Sequence, residues 1–406
     1  MIFRIYSEFI SEADSRFRLN LFCFVISGVV EGFFVKQKRI SAQSGLGHQN
    51  QIIIFENKSK LSAIDMEINL ISDTVTKPSA EMLQAMFNAK VGDDVFKQDP
   101  TVNEFERLVA ELFGMEAALF FPTGTMANQT AIRLHTQPGD QIICDKWAHI
   151  HLYESGGASA NSGVNFNLLD GVRGMITAEQ VREGINDPEF YHTPLSKMVG
   201  IENTTNKGGG ACYDISDLQE IKQVCIEQNL KFHLDGARLW NALIAKKQHP
   251  KQYGELFDTI SVCFSKGLGA PIGSVLIADA ATIKRAMRIR KIFGGNLRQS
   301  GYLAAAGIYA LQNNINRLEE DHRRAKELGA VLQHLSWVEK VEPVETNIVV
   351  FSAKSIVSDQ QVIEKLKQKN IAISLLAKGK LRMVTHLDYK EVMHTYVLET
   401  LEKLTF

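Results

Sequence analysis

The sequence predicts an α/β fold, with a mostly parallel sheet in a large domain and a smaller α+β domain at the C-terminal end. Three observations predict it. Short β-branched and aromatic runs alternate with helical stretches between residues 117 and 278, the pattern of strands joined by crossover helices. Several of those runs end in polar residues and small-residue turns, as in Leu234-Asp235-Gly236 and Phe264-Ser265-Lys266-Gly267. After residue 346, three more strand-like runs and two helical stretches read as a separate α+β unit.

The elements justify themselves in order. Ser79 is placed to cap a helix over 80–88, with Met82, Leu83, Met86 and Phe87 as its apolar stripe. Val91 to Phe96 is a loop, and Phe105, Leu108, Val109 and Leu112 mark a helix over 102–113. A buried strand at 117–121 runs into Pro122-Thr123-Gly124-Thr125, which opens a helix. Strands follow at 141–145, 197–202, 231–235, 259–264 and 273–278, with a helix at 215–228. One long helical stretch is expected over 297–335. The C-terminal unit has strands at 346–351, 371–374 and 381–386 and helices at 360–368 and 391–404. Residues 66–318 are thus read as the large domain and 319–406 as the small one.

The first 65 residues read differently. Residues 21–35 form an apolar run broken by Glu31. A spanning helix needs ~20 apolar residues, so this run is too short to predict one. Patterning begins at Met66, and residues 1–65 are read as an extension outside the folded protein, disordered or absent from the native chain; a membrane-targeting extension is the rival reading.

The chain is 45% hydrophobic and 22% charged, with a formal net charge of -1. That suits a large globular core and argues against a nucleic-acid partner. The five cysteines are scattered, with no CxxC pair. They read as free thiols of a reducing, cytoplasmic compartment, with no metal site.

Several residues carry chemistry at strand ends. Lys266 follows a buried strand, the place for an amine that condenses with an aldehyde. Asp235 ends the preceding strand. Gly124 and Thr125 open a helix whose N–H groups and dipole favour an anion. His149 offers a flat ring. Ligands in such sheets sit at the carboxyl ends of the strands, where these residues converge. Together they match what pyridoxal phosphate requires: a lysine, a carboxylate for the pyridine nitrogen, a phosphate site and a face for the ring. Taken singly, Asp235 also fits a strand-end cap and His149 a core histidine.

The motifs Ile71-Ser72-Asp73-Thr74-Val75-Thr76-Lys77-Pro78, Val91-Gly92-Asp93-Asp94-Val95, Pro122-Thr123-Gly124-Thr125-Met126-Ala127-Asn128, His233-Leu234-Asp235-Gly236-Ala237-Arg238, Ser265-Lys266-Gly267-Leu268-Gly269-Ala270-Pro271, Leu297-Arg298-Gln299-Ser300-Gly301 and Arg382-Met383-Val384-Thr385-His386 occur in that order. From Met66 to Phe406 the chain resembles the threonine aldolase family (low-specificity L-threonine aldolases) of fold-type-I pyridoxal phosphate enzymes. The resemblance implies that Lys266 binds the cofactor aldehyde. It pairs Asp235 with the pyridine nitrogen and Arg238 with the ring's hydroxyl side, and stacks His149 on the ring. Gly124 and Thr125 would hold the phosphate, with Arg298 and Lys291 reaching in from a neighbouring subunit. Ser72 and Arg382 would hold the carboxylate of a small amino acid substrate. The implied reaction is cleavage of L-threonine, L-allo-threonine or another β-hydroxy-α-amino acid to glycine and an aldehyde. Shared sites imply a homodimer or homotetramer, with no membrane partner.

Three departures from the family pattern stand out. Thr205 occupies the place of a usual histidine in Glu202-Asn203-Thr204-Thr205-Asn206, Phe96 that of a tyrosine, and Ile71 that of an arginine. The first leaves His149 or a water as the base at the β-hydroxyl; His149 is the expected one. An alanine racemase or β-eliminating lyase on the same scaffold is the alternative, and a cofactor-binding protein without turnover a further one.

Overall fold

A computed structural model describes residues 67–406. The expectations for residues 1–65 lie outside the described residues. The described residues open with a two-residue strand, β1 (Ile68–Asn69). A seven-stranded sheet is then built from β2 (Ala117–Phe121), β3 (Gln141–Asp145), β4 (Asn165–Leu169), β5 (Ser196–Glu202), β6 (Lys231–Gly236), β7 (Thr259–Cys263) and β8 (Ser274–Ala278), in the spatial order β2-β8-β7-β6-β5-β3-β4. Pairing is parallel from β7 across to β4, while β8 runs antiparallel to both β7 and β2. Six strands therefore share one direction and bring their carboxyl ends to one edge.

Every residue of β3, β7 and β8 is buried, which is why these strands read as unbroken apolar runs and not as alternating ones. The sheet is covered on both faces. One core gathers Phe105, Phe113, Val199, Phe232, Leu234, Trp240, Val262 and Phe264; another gathers Ile132, Ile142, Cys144, Ile150 and Met198. Cys144, Cys212, Cys225 and Cys263 are free and buried. No described helix is long and apolar enough to cross a membrane.

The second sheet comprises β9 (Val338–Val341), β10 (Ile348–Ala353), β12 (Ser374–Ala377) and β13 (Lys380–Val384), all antiparallel in the order β12-β13-β10-β9. Between them β11 (Ile371–Ala372) pairs in parallel with β1. The expected strand at 371–374 is therefore split between two pairings. The Leu70 carbonyl accepts from the Val384 amide, so the second sheet fixes the segment that carries Ser72 and Asp73.

Helices Ala80–Phe87 and Pro100–Phe113 form as expected, capped by Ser79 and Asp99. The long helical stretch expected over 297–335 is two helices, Gly301–Asn313 and Leu318–His334. They are separated at Asn314, whose side chain donates to the Leu268 carbonyl and ties the break to the turn after Lys266. The run Asn313-Asn314-Ile315-Asn316 supplies the turn-forming residues that end the first helix. Helices Leu239–Lys246, Pro250–Leu256 and Ala280–Ile292 and strands β4 and β9 were not anticipated.

Candidate active site

The carboxyl edge of the large sheet gathers the predicted groups. Gly124 opens the Gly124–His135 helix three residues past β2. His149 follows β3, Glu202 ends β5, Asp235 lies at the end of β6 and Lys266 stands three residues past β7. The Lys266 turn closes with the Gly269 amide donating to the Lys266 carbonyl at 2.8 Å. Gly269 has φ +78, a conformation that favours glycine.

At the phosphate-type turn, Thr123 caps the helix by accepting from the Met126 amide. The first N–H groups of any helix lack intrahelical acceptors and point outward. A Cβ on Gly124 would lie 2.8 Å from the Cys263 Sγ, so only glycine fits where this helix abuts the strand that leads to Lys266. Thr125 is exposed.

Asp235 is buried, and its position is set by Asn128, one turn into the same helix. The Asn128 side-chain amide donates to Asp235 Oδ2 and to Glu154 Oε1, both at 2.9 Å. Its oxygen accepts from Ser261 Oγ at 2.6 Å, which fixes the orientation of the amide. Glu154 in turn meets His149 Nδ1 at 3.0 Å. His149, Glu154 and Asp235 offer ligand atoms all within 4.8 Å of one another. The His149 side chain is 34% exposed, so a face of the ring remains open.

Glu202 adds a third carboxylate. It pairs in register with Asp235 on the neighbouring strand. Burial and the charge on Asp235 push its carboxyl up to about 7, against the pull of the Asn206 and His149 amides and the His149 charge. Burial lowers the proton affinity of His149, but the Glu154 hydrogen bond and the charges of Asp235 and Glu202 outweigh it and leave the imidazole raised. Three carboxylates beside one imidazole form a site that favours a further cation.

On the other side, Arg238 grips Asp73 through Nε and Nη2 at 2.8 and 2.7 Å. Asn347, from the loop before β10, donates to the same carboxylate at 3.2 Å. Burial raises the Asp73 carboxyl, but the charge and hydrogen bonds of Arg238, with the charge of Lys266, overcome it and hold it at about 2. Arg382, on β13, donates to Asn206 Oδ1 at 2.8 Å, to the Ile71 carbonyl at 3.0 Å and to Ser374 Oγ at 3.3 Å. Burial and the nearby Arg238 charge lower its pKa. Ser72 Oγ accepts from the Thr74 amide and hydroxyl beside these groups. Arg298 is exposed and bonds Asp93 at 2.7 Å, while Lys291 is exposed on its helix. Thr205 Oγ1 donates to the Arg173 carbonyl at 2.9 Å, so its hydroxyl is committed to the backbone.

These groups fit pyridoxal phosphate. The Gly124–His135 helix, packed close on β7 because Gly124 carries no Cβ, presents its N-terminus at this edge, where an anion is favoured. Asp235, fixed by Asn128, offers an acceptor to a pyridinium N–H, and that cation answers the surplus of carboxylates. Sequence reasoning missed Asn128, Glu154, Glu202 and Asp73. Asn128, Asp73 and Glu202 lie inside quoted runs, which was the available signal.

Residues 69–355 match the family model described as beta-eliminating lyase. The low specificity L-threonine aldolase of Escherichia coli (strain K12) is 41% identical over 322 residues, covering 79% of this chain and 94% of that protein. The low-specificity L-threonine aldolase 1 of Arabidopsis thaliana is 36% identical over 327 residues, covering 79% and 91%. Among solved structures, the Leishmania major threonine aldolase superposes with a TM-score of 0.72 at 21% identity, covering 83% of this chain and 99% of that one. At that identity the likeness shows the fold alone, a fold-type-I arrangement.

Proposed function

The chain belongs to the beta-eliminating lyase family, alongside the low-specificity L-threonine aldolases, and from that premise we propose that it is a pyridoxal phosphate-dependent aldolase. Its substrates are L-threonine, L-allo-threonine or another β-hydroxy-α-amino acid, and its products are glycine and an aldehyde. The observation that carries this reading is the meeting at one sheet edge of Lys266, the Asn128-fixed Asp235 and the Gly124 cradle, with Arg382 held near by.

When bound, pyridoxal phosphate supplies a sink for the electron pair left at the substrate α-carbon. The chain's own residues do the rest. Lys266 supplies the amine for the cofactor aldehyde. Asp235 accepts from the pyridine N–H, and Arg238, aligned by Asp73, serves the hydroxyl side. Gly124 and Thr125 bind the phosphate. Arg382 and Ser72 hold the substrate carboxylate, a task for which a planar guanidinium can make two parallel hydrogen bonds. That grip would fix how the substrate is turned in the site, and so which bond at its α-carbon is presented for cleavage. His149 stacks on the ring and takes the β-hydroxyl proton at Nε2, since Nδ1 is engaged by Glu154.

We further propose a homodimer or homotetramer, in which Arg298 and Lys291 serve a neighbouring site. The scattered thiols support a cytoplasmic, reducing setting.

The description of the matching family favours β-elimination as the second reading. Product analysis on β-hydroxy amino acids tests both. Glycine plus an aldehyde is the expected pair; a 2-oxo acid with ammonia (2-oxobutyrate from threonine), or a D-amino acid from alanine, would replace the aldolase reading.

A further inference from the structure

Glu202 reaches the two halves of the site at once. Its Oε2 accepts from the His149 amide at 3.0 Å, and its Oε1 accepts from the Asn206 amide at 2.8 Å. Neither amide sits in regular structure that would otherwise satisfy it. His149 begins a four-residue helix whose N-cap, Ala148, provides no side-chain acceptor. Asn206 lies in the turn after β5. Asn206 then passes the constraint on, because its Oδ1 accepts from Arg382 Nη1 at 2.8 Å. The Glu202 side chain is buried, and its backbone is locked beside Asp235 by the ladder between β5 and β6 and by the Asn203 amide donating to the Asp235 carbonyl at 3.0 Å.

We propose that Glu202 is a positioning residue: one carboxylate that sets the spacing between the ring-facing His149 and the Asn206–Arg382 pair, by holding a backbone N–H of each segment on a separate oxygen. This rests on the functional reading above for what the two segments bind. A shape-conserving Glu202→Gln keeps one acceptor oxygen but turns an NH₂ toward the second amide, and Glu202→Ala removes both acceptors. N–H groups that are partly shielded from water, as these two are, favour local opening when left without partners, because their desolvation is no longer offset.

Hydrogen exchange on the full-length apoprotein is the first readout. Glu202→Ala should exchange faster than wild type in both the peptide spanning 146–152 and that spanning 203–209, and Glu202→Gln in at least one. Pyridoxal phosphate titration and steady-state kinetics on threonine are the second. At about pH 8, above the value of about 7 to which the Glu202 carboxyl is pushed, the dissociation constant for the cofactor and the KM for substrate should each rise about tenfold or more, the scale of one lost charge-assisted hydrogen bond, with kcat falling less. If Glu202→Ala fails to fold, Glu202→Gln carries the test. Unchanged protection of both peptides overturns the proposal, and so does lost protection with unchanged cofactor affinity and KM. Wild-type protein that takes up no pyridoxal phosphate would sink the functional reading instead. The exchange experiment would then still decide whether Glu202 holds the two segments.

Discussion

Asp73 and Arg238 stand 165 positions apart in sequence and meet in two hydrogen bonds of 2.7 and 2.8 Å, with side chains 0% and 6% exposed. The pair joins the segment after β1 to the end of β6, and Asn347 adds the second sheet to the same carboxylate. A guanidinium stripped of its buried partner keeps its desolvation penalty and loses the compensation. Asp73→Asn should therefore cost about 3–5 kcal/mol in denaturant unfolding. A loss below about 1 kcal/mol would show that the pair is not a structural tie. The acid side follows from the sign of the shift. A carboxyl at about 2 when folded, against 3.8 ordinarily, adds stability that is fully present above 3.8 and is lost as pH falls through about 2. The amount is about 2 kcal/mol at 1.36 kcal/mol per unit, and it should be missing from the stability–pH curve of Asp73→Asn.

His149 must be neutral to accept a proton, and its imidazole is raised above 6.5. The kcat/KM for cleavage should accordingly fall as pH drops through a value above 6.5. Glu154→Gln removes the carboxylate that holds Nδ1 and should move that limb to lower pH. His149→Asn should reduce kcat/KM by about 10²–10⁴-fold, the range for a positioned acid–base group. Near-full cleavage by His149→Asn would remove it as the base.

Gly124→Ala places a methyl 2.8 Å from the Cys263 Sγ. Overpacking of this kind costs about 1–3 kcal/mol, so cofactor affinity should weaken by about tenfold or more if the helix start shifts. Adding Cys263→Ala to the same chain removes the obstructing sulfur and should restore most of the affinity. Equal cofactor affinity in Gly124→Ala and wild type would show that the cradle does not bind the phosphate.

Much of this was legible in the sequence, and the reason is local. Lys266, Asp235 and Gly124 each end or follow a strand of recognisable composition, so short-range pattern placed them at one edge. The opposite direction of β8 was not legible, since a buried antiparallel strand flanked by turns looks like a parallel one. The break at Asn314 was passed over because the apolar spacing on either side of it reads as continuous. Asn128 could be quoted in a motif but given no task, since its partner Asp235 is 107 positions away. Glu154 was not singled out, and Glu202 was quoted only as the start of the run that carries Thr205, for a related reason. A carboxylate beside a histidine or at a strand end is ordinary until the fold brings three of them around one imidazole, two from neighbouring strands and Glu154 from the segment after His149. Arg382 was singled out from the motif, but its hold on Asn206 depends on contact between the two sheets, which no local pattern encodes.

The most direct test of the account is to reduce the protein with borohydride in the presence of pyridoxal phosphate, digest it, and locate the added mass. The account predicts the modification on the peptide containing Lys266, together with loss of the visible cofactor absorbance in Lys266→Ala. Modification on a different lysine, or a Lys266→Ala protein that keeps both the absorbance and the cleavage of threonine, would contradict it.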